Sequence, residues 1–514
     1  MTPERVSNSA SMRVPRPCDR SIVRHNSCRS TDPQPPLPPL QKSIVRLLLL
    51  LTRVVVSKFI HIYDDAFITF RYAHHFAEGL GMVFNPGASW EPVLGTTTPG
   101  YTFLLGSMEM LGIDALTAST WINRLCDVGS GLLLVFFCGA GRVRALIVGI
   151  GWALMPEIAR VSVGCMEAPV LLLLTLGAFA CLRAKCIGWT GLLAACACTV
   201  RPEAVLLVGV IMLELRRSRR DLMRFLLPVA LIGIAYSALL IAFYGDPIPN
   251  SVRSKAARHG ASPWLDTWKE IGTQAFLPRL EYLPALVLAV IGFPRLIVSA
   301  GGLGGLARFG SGIVLAYLIA RPHTWGWYYY IPLTVWTVSV GFGFARVIER
   351  IPRLQSILAR CLQPVLALGV VGLLATALLV ESRDKVTSRV YEPMAAWAEK
   401  VGLERNHLSV LASDVGAIGW YGKGLIIDSE GLTLPMDEIS VDGAQPDLIR
   451  QYEPDYLLIT AVQPKLSVLR DEEDLFRDYY PVQRFSVLGE TQLEPSLEEL
   501  PPSWTQDYIV FRRR

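Results

Sequence analysis

The run Ile62-Tyr63-Asp64-Asp65-Ala66-Phe67-Ile68-Thr69-Phe70-Arg71-Tyr72 follows directly on the first strongly apolar segment, residues 43–60. Two adjacent acids at a membrane–water boundary cost free energy unless water, a cation or a substrate meets them. Carboxylates held there can also accept a proton from a substrate hydroxyl. The spacing predicts a helix from Asp64, with Phe67, Phe70, His74 and Ala77 recurring on one face and Asp64 and Arg71 sharing another. Such a helix suits the outer membrane interface. Asp also suits a helix N-cap, so the pair alone fits either a catalytic or a capping role.

Outward from this run the chain is apolar. Of its 514 residues 52% are hydrophobic and 18% charged, with a mean hydropathy of +0.38. A soluble protein of this composition has too little polar surface to cover itself. Apolar segments recur near 43–60, 117–139, 143–156, 168–182, 187–200, 203–215, 223–243, 282–299, 303–320, 327–345 and 362–380. They predict a mainly α, multi-pass membrane protein with about eleven transmembrane helices. Residues 99–113 read as a juxtamembrane or re-entrant helix. Arg46, Arg53 and Lys58 are polar for a first span, so either the span is short or the cations snorkel to its ends.

Cations set the topology. Arg142 and Arg144, Arg183 and Lys185, Arg216 to Arg220, and Arg346 to Arg353 occupy alternate loops, as a cytoplasmic N-terminus requires. Residues 1–42, rich in Pro, Ser and Arg, read as a disordered cytoplasmic tail rather than a signal peptide. Residues 43–381 form the transmembrane domain, with a first extracytoplasmic loop at 61–116. The opposite loops then collect the polar oddities on the outer face. After Val380 the composition turns charged, and short β-type runs such as Ser409-Val410-Leu411-Ala412 alternate with helical stretches. Residues 385–514 therefore read as a small extracytoplasmic α/β domain. The basic residues gather at the ends of apolar runs, which argues against nucleic acid. The ten cysteines lie in the tail or between Cys126 and Cys361, mostly in apolar runs, and suggest neither a disulfide framework nor a metal site.

Further constellations lie on the outer side. A turn-rich loop runs Gly81-Met82-Val83-Phe84-Asn85-Pro86-Gly87, then Glu91-Pro92-Val93-Leu94-Gly95-Thr96-Thr97-Thr98-Pro99. Gly164-Cys165-Met166-Glu167 and Arg201-Pro202-Glu203 put charges at the outer ends of spans, where they fit capping or phosphate contact. Pro247-Ile248-Pro249-Asn250-Ser251-Val252-Arg253-Ser254-Lys255 makes a rigid turn that presents Asn250, Arg253 and Lys255 outward, against the positive-inside bias. Arg321-Pro322-His323-Thr324-Trp325-Gly326-Trp327-Tyr328-Tyr329-Tyr330 combines cations with aromatics and also fits an interfacial belt.

Taken together, these motifs resemble bacterial multi-pass glycosyltransferases of the GT-C class that use a polyprenyl-phosphate-linked sugar. Within that class they look most like the mycobacterial terminal β-(1→2)-arabinofuranosyltransferases. The resemblance covers about residues 44–460 and is carried chiefly by 64–72 and 247–255. At 91–99 the chain departs from the Glu-Gly-Tyr-Thr run of that family, so neither the sugar nor the acceptor carries over.

The resemblance implies transfer of a sugar from the lipid phosphate to a cell-envelope glycan or lipid acceptor, at the outer face of a bacterial plasma membrane, with inversion. It implies Asp64 as general base with Asp65 in support, and Arg71, Arg201, Arg253, Lys255 and His323 as candidates for the phosphate. Tyr72, Asn85, Glu91, Glu167, Glu203, Asn250 and Trp325 are candidates for sugar contact or support. No metal is required, a divalent cation between the acids being the alternative. A polymerase or ligase using a lipid-diphosphate donor, and a multi-pass secondary transporter, are the competing readings.

Overall fold

The computed structural model describes residues 39–139, 142–259, 262–276, 280–299, 301–322, 324–382, 384–435, 445–461, 477–487, 492–493 and 507–514. The expectations for residues 1–38 and for His323 fall outside them. The helical region begins with α1 (Pro39–Val56), α2 (Asp64–Ala77), α3 (Pro99–Met110) and α4 (Ala115–Phe137). It continues through α5 (Arg142–Leu154), α6 (Pro156–Val163), α7 (Ala168–Arg183), α8 (Ile187–Val200), α9 (Val205–Leu215) and α10 (Arg219–Tyr244). Then come α11 (Asn250–His259), α12 (Trp264–Ile271), α13 (Leu283–Ile297), α14 (Gly302–Ala320), α15 (Tyr330–Glu349) and α16 (Pro352–Leu379).

Each apolar segment is helical. Among the described residues, three stretches are long and apolar enough to cross a membrane: Arg219–Tyr244, Gly302–Ala320 and Gly326–Glu349. A fourth arises if the pair α5 and α6, bent by 56°, forms one span. The bend has a local cause. Pro156 opens α6, and a proline lacks the N–H that would continue the helix and clashes with the preceding turn. The shorter α7, α8 and α13 are apolar as well, and about eleven crossings is not established by the helices alone.

Two expectations are corrected. Arg53 does not snorkel: it is 1% exposed, donates from Nε to Asp127 Oδ2 at 2.6 Å, and donates to the carbonyls of Ala153 and Trp152 at 2.8 and 3.2 Å. Asp127 Oδ1 also accepts from the Tyr330 hydroxyl at 2.7 Å, so one buried ion pair joins α1, α4, α5 and α15. Nor does α2 lie open on an interface, because Ala66 to Ala73 are all buried. It packs against α3 on one side and the C-terminal unit on the other.

That unit holds α17 (Glu392–Val401), α18 (Gly416–Gly422) and α19 (Gln445–Tyr452) around a mixed sheet. Its strands are β1 (Ser409–Ala412), β2 (Leu425–Asp428), β3 (Tyr456–Thr460), β4 (Tyr479–Phe485), β5 (Gln492–Leu493) and β6 (Tyr508–Arg513), in the order β2-β1-β3-β6-β4-β5. The first three are parallel, and α18 and α19 supply the crossovers that parallel pairing demands. β6 runs antiparallel between β3 and β4. Side-chain alternation divides the sheet. Val410, Ala412, Ile426, Leu458 and Val510 join one core continuous with the helical region. Leu411, Ile427, Leu457, Ile459, Ile509 and Phe511 form a second core on the far face.

Candidate active site

A small cleft gathers residues from segments that lie far apart in sequence. Asp65 and Thr69 of α2, Thr96 to Thr98, Glu167, Ser251 and Lys255 of α11, Trp327 and Tyr328 line it, with Leu432 reaching in from the C-terminal unit. The α11 pair follows from helical spacing, since residues four apart stand one above the other.

The two adjacent acids part company. Asp65 faces the cleft. The Asp64 carboxyl turns away and accepts from the backbone N–H of Gly416 at 2.9 Å and of Ala417 at 2.8 Å, at the start of α18. Asp64 does not cap its own helix, whose N-cap position is Tyr63, with no side-chain capping bond. Burial pushes the Asp64 carboxyl up to about 8, aided by the charges of Asp414 and Asp65 and opposed by the two backbone donors. Gly416 permits the approach, because a Cβ there would overlap the Asp64 carbonyl oxygen.

Lys255 is the cation that lines the cleft among the described residues. Burial works against its charged form, but Tyr328 and Asp65 outweigh it and leave the pKa raised. Arg201 is spent on carboxylates: Nε and Nη2 donate to the two Glu203 oxygens at 3.1 and 2.7 Å, and Nη1 donates to Glu167. Its guanidinium lies 4.5 Å from the Tyr328 ring centroid, behind the cleft wall, and Tyr317 donates to Glu203 at 2.8 Å. A planar guanidinium with this bidentate partner is geometrically fixed.

The other expected residues are placed as follows. Arg71 is buried, with its donors directed to the carbonyls of Phe84, Gly419 and Gly424 and to Asn85 Oδ1. Those bonds leave it no phosphate to bind. The Tyr72 hydroxyl donates to Val93 O at 2.7 Å and accepts from Gly95 N at 2.8 Å, which shapes the approach to the threonines. Asn85 pairs with the backbone of Ile426 in β2. Asn250 donates to three carbonyls of residues 431–434. Glu91 is exposed outside the cleft, and Arg253 pairs with Asp246. Trp325 stacks on Trp327 with ring centroids 5.9 Å apart and so stands one layer behind the cleft.

Sequence reasoning had singled out Lys255 but not Ser251, one helical turn before it. Its buried Oγ lacks a hydrogen-bond partner and lines the cleft. The i, i+4 spacing was the available signal. The three threonines carried no signal beyond turn composition: Thr96 bonds Thr98 at 2.9 Å and Thr69 at 3.4 Å, an order visible only once the loop is folded. Among the described residues no group of three or more His, Cys, Asp or Glu could hold a metal ion.

A family model described as a domain of unknown function, DUF8728, matches residues 382–510. No curated protein sequence matches the chain. Among solved structures the chain is similar to ArnT from Cupriavidus metallidurans in the apo state, at 11% identity and a TM-score of 0.54, over 92% of this chain and 98% of that one. It is equally similar to the same protein bound to undecaprenyl phosphate, at 11% identity and a TM-score of 0.53, over 91% and 97%. The arabinofuranosyltransferase AftD from mycobacteria aligns over 93% of this chain but 42% of its own, at 16% identity and a TM-score of 0.45. At such identities the likeness speaks to the fold alone: the chain shares the fold of ArnT.

Proposed function

We propose that this protein is a membrane glycosyltransferase that moves a sugar from a polyprenyl-phosphate donor to a hydroxyl of a cell-envelope glycan or lipid acceptor. The observation that carries this reading is the cleft in which Asp65 and Lys255 both face one space, among hydroxyl and aromatic side chains. Asp65, in place of Asp64, is the general base, because both Asp64 oxygens are engaged by α18. The acceptor oxygen attacks the anomeric carbon while its proton passes to Asp65. The bond from that carbon to the phosphate oxygen breaks, and the polyprenyl phosphate departs with the electron pair from the opposite face. Configuration therefore inverts. Lys255 meets the charge that gathers on the leaving phosphate, and the Arg201 cluster holds Tyr328 and Glu167 in place around it.

Among the described residues one cation, Lys255, lines the cleft, and this supports a monophosphate donor over a diphosphate. ArnT, which shares the fold, has been solved bound to undecaprenyl phosphate, and this supports a polyprenyl carrier here. We place the cleft and the C-terminal domain on the extracytoplasmic side of a bacterial plasma membrane, with the N-terminus cytoplasmic and about eleven crossings. Nucleotide sugars are absent on that side, which leaves a lipid carrier as the donor able to reach the site.

The test is transfer in vesicles loaded with polyprenyl-phosphate sugars. Asp65→Asn should insert and fold as the wild type does and lose about 10²–10⁴-fold in rate. Wild-type transfer by that variant would remove the base assignment. Transfer by the wild-type protein from a lipid-diphosphate sugar alone would remove the donor assignment.

A further inference from the structure

We infer that the C-terminal domain is a positioning clasp: it grips α2 and α11 together and so fixes Asp65 and Lys255 at their working separation across the cleft. The inference rests on the function proposed above and gives a role to the region matched by DUF8728.

The grip has two jaws. On α2, the N–H groups of Gly416 and Ala417 hold Asp64. Two turns further along the same face of the helix, Arg71 donates to the carbonyls of Gly419 and Gly424. On α11, Asn250 Nδ2 donates to Gly431 O at 3.0 Å, Leu432 O at 3.2 Å and Leu434 O at 2.8 Å. Ser254 Oγ donates to Glu430 O at 2.8 Å.

The gripped residues are sequence neighbours of the groups that face the cleft. Asp64 precedes Asp65, Asn250 precedes Ser251, and Ser254 precedes Lys255. A backbone fixed at one position fixes the side-chain direction at the next.

The second jaw is itself rigid. Asp428, at the end of β2, accepts from the N–H groups of Glu430, Gly431 and Thr433, at 2.8, 3.1 and 2.8 Å. The two jaws flank the same three-stranded parallel layer, α18 following β1 and the 429–434 loop following β2, so their spacing is that of neighbouring strands.

Full-length protein in lipid nanodiscs tests this with Asn250→Ala, Ser254→Ala and Gly416→Ala, none of which alters a side chain lining the cleft. Donor saturation curves with a polyprenyl-phosphate sugar give kcat and KM separately, and deuterium exchange reports on α2 and α11.

The clasp predicts that Asn250→Ala and Gly416→Ala keep the wild-type helix content and KM while kcat falls about ten- to a hundredfold, the cost of misplacing a reacting group. Ser254→Ala, which loses one bond, should show a smaller drop in the same direction. Exchange should rise in residues 250–259 for Asn250→Ala and in 64–77 for Gly416→Ala. Wild-type kcat in both of these variants, with an active wild-type protein, overturns the clasp and leaves the proposed function intact. A wild-type protein that transfers no lipid-phosphate sugar overturns the function. Exchange unchanged in α2 and α11 of the variants then overturns the clasp on its own.

Discussion

Asp64 and Asp65 are adjacent in sequence yet opposite in environment. Successive residues on a helix point about 100° apart, so one carboxyl can enter the cleft while the other meets α18. The same geometry carries a pH signature. The folded-state pKa of Asp64, about 8, stands above its usual value of 3.8. An acid raised in this way contributes stability that is complete below its unfolded pKa and is lost as pH rises through the folded one. The wild-type melting temperature should therefore fall, relative to Asp64→Asn, between about pH 4 and pH 8. Melting curves for both proteins across that window check it, and parallel curves would show that this carboxyl does not titrate there. The motif singled out two adjacent acids. It held no means of telling which one faces the cleft, because the partner that turns Asp64 away, Gly416, lies 352 residues away.

Elements were more legible than residues. The apolar runs located the helices of the membrane region, because burial in lipid or in a packed bundle demands long apolar stretches in either case. α10 shows why. It is 26 residues long, only 11% of its apolar window is buried, and Leu227, Leu231 and Ile234 are exposed. Such a surface in water would drive aggregation, and lipid accounts for it. Leu231→Lys should lower membrane insertion by about 2.5–3.5 kcal/mol, read as the membrane-inserted fraction of expressed protein, whereas Leu231→Ala should change it little. Equal insertion of both variants would place this face against protein. What periodicity could not reveal was α2. Its amphipathic spacing suggested an interface helix, but the second covering surface comes from α18, and no local pattern announces a partner so distant in the chain.

Across the molecule, polar groups act as ties between elements that hydrophobic packing alone would leave free to slide. Arg53 and Asp127 are the clearest case, 1% and 0% exposed. Removing one member of a buried pair strands the other charge, at a cost of about 3–5 kcal/mol. Asp127→Ala should therefore lower the melting temperature sharply. The double variant Arg53→Met with Asp127→Leu should recover much of the loss, since an apolar replacement of both charges is often neutral. A double variant as unstable as the single one would mean that the Tyr330 and backbone bonds, and not the charge, hold the joint. The order of the sheet has a consequence for biosynthesis. β6, residues 508–513, lies between β3 and β4, and the sheet it completes carries the loops that touch α2 and α11. The helices of the membrane region are all made before this strand, which begins 129 residues after the end of α16. A chain cut short before that strand would lack the middle of the sheet and, on the reading proposed above, should lose transfer while its membrane helices stay as they are.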